Sequence, residues 1–350
     1  MGYFLRNELM TRGQKKKIAF ILEYSEWKGH YPFERAAILA NLLSEESVTI
    51  FLKAGNPRAL SILTDAGLQP VLYEKYQELP KVIRNLSVDL IIFDGMDSTI
   101  EQVEMIRPFC QTIVHFDDRG DGMELIDCNI VALFEEIVEA MPQNMLAGSF
   151  AFAIDDKLLD ITKEDKQEED LPHIVVAFED GDANNLTYRT LRHLTQLHIP
   201  LKVSVAIDAD YRHSVEDLQM MVLSRRHTKI VQQPDALLSL LPSADIVICN
   251  ANYTPYKVAT VGVPCITAAQ NERELVHAFN REGNGFVHIG LGRKMKQSAI
   301  QNAVMEFLLH DARRDRAIFK QQSLELHSNN EVLQSLLLDL AYARHQIIHI

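Results

Sequence analysis

The chain has 350 residues, of which 47% are hydrophobic and 24% charged, and its formal net charge is −13. This length predicts two domains rather than one. The acidic balance disfavours non-specific binding to nucleic acid or to anionic membrane surfaces, and no run reaches the roughly 18 apolar residues of a membrane span.

Met1 to Lys17 carries Lys15, Lys16 and Lys17 but no apolar run followed by a small-residue cleavage site, so it reads as an irregular arm rather than a signal peptide. Strand-like and helix-like segments then alternate. Lys17–Leu22 is a short apolar run and Pro32–Leu43 a helix with an apolar face of Ala36, Ala37, Leu39, Ala40 and Leu43. Val48–Leu52 reads as a strand, Pro57–Ala66 as a helix, and Val88–Asp94 and Gln111–Asp118 as strands ending in carboxylates. That spacing predicts a doubly wound parallel sheet. Asp155–Asp170 is strongly charged and reads as a linker or a solvated helix face. A second alternating series has strands at His173–Phe178, Leu201–Val205, Asp245–Cys249 and Cys265–Ala268, and Ser298–Ile350 reads as mostly helical.

The expected organisation is therefore an arm over 1–17, a Rossmann-like domain over 18–155, a charged linker over 156–170, a Rossmann-like nucleotide-binding domain over 171–325 and a C-terminal helix over 326–350. Two such halves place a ligand in the cleft at the carboxyl ends of the strands. Cys110, Cys128, Cys249 and Cys265 are scattered without a CxxC pair. They read as buried free thiols in a reducing, cytoplasmic compartment, with no metal site.

Four loops are candidates for chemistry. Glu23–His30 contains Gly29, which permits close backbone approach, and His30, which is either a surface histidine or a general base. In Glu179–Thr187, Asp182 or Asn185 either caps the following helix or contacts ligand. Cys249–Lys257 leads into a helix whose N-terminus suits an anion, with Pro255 at the first helical position, where its missing N–H costs little. Ala268–Glu272 follows a strand.

Together these loops resemble the UDP-sugar hydrolase of the pseudaminic-acid pathway and its relatives in spore-coat polysaccharide synthesis, which follow the two-Rossmann glycosyltransferase-B plan. The resemblance runs from about Ile18 to Gly292. It rests on Gly29-His30, on the strand ends at Asp94 and Phe116-Asp117-Asp118, and on Ala147–Ala151 as the interdomain crossing. It also rests on Phe178–Thr187, on Ala244–Pro264, and on Asn271-Glu272 with Gly283 and Leu291-Gly292. It implies His30 as the base, with Gly29, Asp94, Asp117, Asp182 and Asn185 on the substrate. Asn252, Thr254, Lys257, Asn271 and Glu272 would serve the nucleotide.

The chain departs from the family at its phosphate loops. A glycine pair is replaced by Glu179-Asp180, and a glycine-glycine-serine by Ala251-Asn252-Tyr253. A glutamate expected at the ribose is Lys257. An arginine three residues after the base is missing, the nearest being Arg35. The bulk of Tyr253 and two added carboxylates predict weak diphosphate binding. The implied ligand is a nucleotide-activated sugar of UDP or CMP type, with no separate cofactor. A protein partner in the same pathway is the expectation if the fold is kept but catalysis is lost.

Overall fold

A computed structural model describes residues 14–135, 142–165, 167, 170–223 and 225–343. Most of the expected arm, positions 166, 168 and 169 of the linker, and the chain after 343 lie outside the described residues.

The first sheet holds β1 (Lys17–Leu22), β2 (Ser47–Lys53), β3 (Val71–Tyr73), β4 (Val88–Asp94), β5 (Cys110–Phe116), β6 (Cys128–Val131) and β7 (Met145–Ala147), in the order β3-β2-β1-β4-β5-β6-β7. The second holds β8 (His173–Ala177), β9 (Lys202–Ile207), β10 (Thr228–Gln232), β11 (Ile246–Asn250), β12 (Cys265–Ala269) and β13 (Phe286–Leu291), in the order β10-β9-β8-β11-β12-β13. Every pairing in both sheets is parallel. Helices therefore cover both faces, and the central strands are buried throughout, as IAFIL in β1 and IVICN in β11 require. The strand order reverses between β1 and β4 in one sheet and between β8 and β11 in the other, and loops gather at such switch points.

Local chemistry sets the helix boundaries. Asn56 Oδ1 accepts from Ala59 N at 3.0 Å to start Pro57–Asp65, and Thr99 and Gln102 form a reciprocal cap on Ile100–Ile106. Gly262, at φ +74°, ends Thr254–Val261 in the left-handed conformation that glycine adopts without a Cβ penalty.

The expected linker is docked onto the second domain. It contains a short helix, Asp156–Leu159, and Glu164 N donates to Pro242 O at 2.9 Å. The C-terminal helix Asn329–Tyr342 returns to the first domain. Asn329 Nδ2 donates to Ser149 O (2.7 Å) and Phe152 O (2.9 Å), and Leu333 and Leu337 are fully buried. Cys128, Cys249 and Cys265 are buried free thiols, and Cys110 is half-buried. Among the described residues no helix is long and apolar enough to cross a membrane.

Candidate functional site

The loops at the two switch points face each other, and the side chains between them form a bonded network. Arg35, on the helix Tyr31–Leu42, is completely buried. Its Nε and Nη2 donate to the two oxygens of Asp94 at 2.7 and 2.9 Å, and Nη1 donates to Asp117 Oδ2 at 2.9 Å. Asp117 Oδ1 also accepts from Ala132 N (2.7 Å) and Leu133 N (2.8 Å). Burial alone would raise the Asp117 carboxyl; Arg35 and then Lys28 outweigh it and hold it below the usual range.

Tyr253 completes this network from the other domain. Its hydroxyl donates to Asp117 Oδ2 at 2.7 Å and its ring lies 4.2 Å from that of Tyr31. Further links cross the cleft. Arg273 grips Asp97 at 2.6 and 3.0 Å, Asn252 Nδ2 donates to Trp27 O at 3.2 Å, and Lys257 Nζ sits 3.3 Å from Glu34. Lys28 is fully buried and donates to Phe116 O at 3.0 Å. Burial pushes its ammonium down, opposed by Asp94 and Asp97.

Gly29 takes φ +63°, and a Cβ there would fall 1.8 Å from Asp180 Oδ1. That oxygen accepts from His30 N at 3.1 Å, across the domain boundary. His30 is buried and its Nδ1 has no hydrogen-bond partner among the described residues; Asp210 Oδ2 lies 3.5 Å away. Burial lowers the imidazole to about 4, with Asp210 opposing and Arg58 reinforcing, so the ring is neutral at pH 7.

On the other side of Gly29 an open cavity of about 460 Å³ is lined by Trp27, Asn184, Gln270, Asn271, Glu272, Arg273 and Arg293. Trp27 is 51% exposed and offers a ring face for stacking. The cavity lies at the carboxyl ends of β8 and β12. Its floor is fixed by Glu274, a buried carboxylate that accepts from Ala251 N (3.1 Å) and Gln270 N (2.9 Å). Burial pushes Glu274 up to about 7. Asn271 starts the helix Glu272–Leu275 by accepting from Glu274 N at 2.9 Å.

The structure thus divides the expected site residues. Asn271 and Glu272 line the cavity, and His30 does not. Asp94 and Asp117 are turned inward onto Arg35 instead of lining open space. Asp182, expected at the substrate, is fully buried and caps the helix Leu186–Leu194, accepting from Leu186 N (2.7 Å) and Thr187 N (2.8 Å). Asn185 leads into that helix at φ +52° and accepts from Tyr211 Oη at 3.1 Å.

Thr254 Oγ1 lies 2.8 Å from Glu179 Oε2 and 2.7 Å from Asn250 Oδ1, with one proton to share between them. Lys257 Nζ is 3.4 Å from Glu179; burial would lower it, but Glu179 and Glu34 raise it. The expectation of two repelling carboxylates changes on one count. Burial and the Glu179 charge push the Asp180 carboxyl up to about 8, so it is largely protonated at pH 7 and Glu179 carries the negative charge. Arg35 and Trp27 were not among the expected site residues. The signal for Arg35 is an arginine on the helix that faces two strand-end aspartates; for Trp27 it is the only tryptophan, two residues before a loop glycine.

No family model matches the chain. Solved structures set the fold. Acinetobacter baumannii MurG matches with a TM-score of 0.66 at 14% identity, over 93% of this chain and 99% of that one. The chain has the glycosyltransferase-B fold. A UDP-GlcNAc 2-epimerase of Neisseria meningitidis, solved with UDP-GlcNAc bound, matches at 0.61 and 9% identity over 92% and 100% of the two chains. A glycosyltransferase of Rickettsia africae matches at 0.62 and 9% identity over 95% and 100%.

Among curated proteins, an uncharacterized protein of Methanocaldococcus jannaschii is 21% identical over 275 residues, 73% of this chain and 56% of that protein. The match thus spans little more than half of the archaeal relative. The spore coat polysaccharide biosynthesis protein SpsG of Bacillus subtilis is 21% identical over 235 residues, 63% of this chain and 67% of that protein. The fold is thus shared with glycosyltransferases and a UDP-GlcNAc 2-epimerase, and the sequence bears a distant likeness to a spore coat polysaccharide biosynthesis protein. Among the described residues there is no cluster of three or more His, Cys, Asp or Glu placed to hold a metal ion.

Proposed function

We propose that this chain binds a nucleotide-activated sugar in the interdomain cleft and acts in the synthesis of a surface or spore-coat polysaccharide. The observation that carries this reading is the open cavity at the carboxyl ends of β8 and β12, with an exposed tryptophan beside it and two arginines in its lining. An aromatic face suits a base or sugar ring, and guanidinium groups suit phosphate oxygens. The likeness to the spore-coat protein supports the choice of pathway.

In this reading Asn271 and Glu272, which line the cavity, contact the nucleotide, whereas Asn252, Thr254 and Lys257, expected there from the sequence, lie outside its lining. His30, neutral at pH 7, is the base that activates water if the protein is a hydrolase.

A second reading is favoured by the Arg35–Asp94–Asp117–Tyr253 network, in which the polar groups of the cleft satisfy one another. There the chain is a catalytically silent binding or assembly partner in the same pathway. One experiment separates the two. Thermal melts are recorded with a panel of nucleotides and nucleotide sugars, since a ligand that binds only the folded state raises stability by mass action. Release of free sugar or nucleotide is then followed for the wild type and for His30→Ala. The enzyme reading expects a shifted melt and turnover that His30→Ala abolishes while the shift remains. A shifted melt without turnover refutes the enzyme reading and leaves a silent binding protein, and an unshifted melt with every nucleotide refutes the enzyme reading in favour of the assembly partner.

A further inference from the structure

One wall of the cavity, at Gln270, is backed by a carboxylate residue of the chain itself. Gln270 lines the cavity, and its Nε2 donates to the Glu179 main-chain oxygen at 3.0 Å. Behind that wall the Glu179 side chain turns to the head of the helix Thr254–Val261. Its Oε2 lies 2.8 Å from Thr254 Oγ1 and 3.4 Å from Lys257 Nζ. A hydroxyl and an ammonium at a helix start are partners that an anionic ligand group would use.

We propose that Glu179 stands in for a second phosphate, so that the cavity takes a nucleoside monophosphate carrier in preference to a nucleoside diphosphate one. This deepens the nucleotide-sugar reading and rests on it.

Three further features point the same way. The lining sets Arg273 and Arg293 against Glu272, and Asp97 already engages Arg273 at 2.6 and 3.0 Å. Little positive charge is left to balance a second phosphate. Tyr253 blocks the alternative route towards the first domain, because its hydroxyl is committed to Asp117 at 2.7 Å and the residue is 2% exposed. Asn252 is tied to the Trp27 main-chain oxygen at 3.2 Å, which closes the space between the two loops. A phosphate placed about 4 Å from Glu179 meets a repulsion worth tenfold or more in affinity in this partly shielded setting.

The test is calorimetric titration of the full chain with two matched pairs of probes, UMP against UDP and CMP against CDP. The wild type is expected to bind the monophosphate of at least one pair as tightly as its diphosphate, or more tightly. Glu179→Gln keeps the shape and removes the charge, and Lys257 keeps Glu34 at 3.3 Å. That variant, and Glu179→Gly, should each move the ratio about tenfold towards the diphosphate, equivalent to about 1.4 kcal/mol. Wild-type affinity tenfold or more higher for the diphosphate in every pair that binds would overturn the proposal and leave the nucleotide reading standing. An unchanged ratio in both variants, with melts showing them folded, would also overturn it. If none of the four nucleotides binds at millimolar concentration, the nucleotide reading fails as well.

Discussion

Replacing Arg35 with methionine tests whether the buried network holds the cleft together. The guanidinium makes three charge-assisted hydrogen bonds of 2.7, 2.9 and 2.9 Å to two aspartates, and its side chain has no exposure. Methionine fills much of the volume but leaves both carboxylates without their cation. Asp117 keeps two backbone donors and the Tyr253 hydroxyl, whereas the Asp94 carboxylate keeps, among the described residues, only the bond from Gly95 N at 2.8 Å. Breaking a buried ion pair by removing one partner costs about 3–5 kcal/mol. With a urea slope of about 3 kcal/mol/M, the midpoint should fall by roughly 1–1.7 M. The pH dependence adds a second check. Asp117 is held below its ordinary value, so its contribution is present above the unfolded pKa of about 3.9 and fades as pH drops through the lower folded value. The gap between wild type and Arg35→Met should therefore be full at pH 7 and narrow below about pH 4. A variant within about 1 kcal/mol of wild type at pH 7, or a gap that widens in acid, would refute this account.

Tyr253→Phe removes one hydrogen bond to a carboxylate that retains other donors, so urea titration should show a loss near the lower end of about 1.5–3 kcal/mol. Gly29→Ala forces a Cβ onto Asp180 in a left-handed backbone, which should cost about 1–2 kcal/mol before the clash is counted; an unchanged melting temperature would contradict the loop geometry. Asp180 has a folded pKa raised to about 8, so it withdraws stability as pH rises from its unfolded value towards 8. Asp180→Asn should remove that loss and keep an acceptor for His30 N. Its stability relative to wild type should grow between pH 5 and pH 8, and a flat difference across that range would count against the assignment.

The centre of each sheet was legible because parallel strands are covered on both faces and read as unbroken apolar runs, as in β1, β4, β8 and β11. The strands that escaped are short or lie towards the edges. Val71–Tyr73 has two exposed residues of three, and Thr228–Gln232 has none fully buried. Cys128–Val131 is buried but only four residues long, too short for a period to show. The loops of the site could be placed because each follows a legible strand. Their internal bonding could not. Tyr253 meets Asp117 across 136 positions and Arg35 meets it across 82, and no local pattern records such pairings. Asp182 shows the opposite case, a cap four and five residues from its donors, where the local alternative named from sequence is the one the structure displays.

The side chains of Asp180, Asn252 and Tyr253 account for the links that close the cleft. Glycines in a phosphate loop leave the backbone open to a ligand and contribute no side chain to the opposite domain. In this chain Asn252 and Tyr253 reach Trp27 and Asp117, and Asp180 meets the backbone of His30. Each contact joins the halves of the molecule. Arg35 then neutralises the carboxylates that Tyr253 and the strand ends bring together, which explains how an arginine survives fully buried. Ligand affinity is reduced by the closed fraction whenever binding needs the cleft to part. The cavity beside Trp27 escapes that penalty, because it is open while the network behind it stays intact.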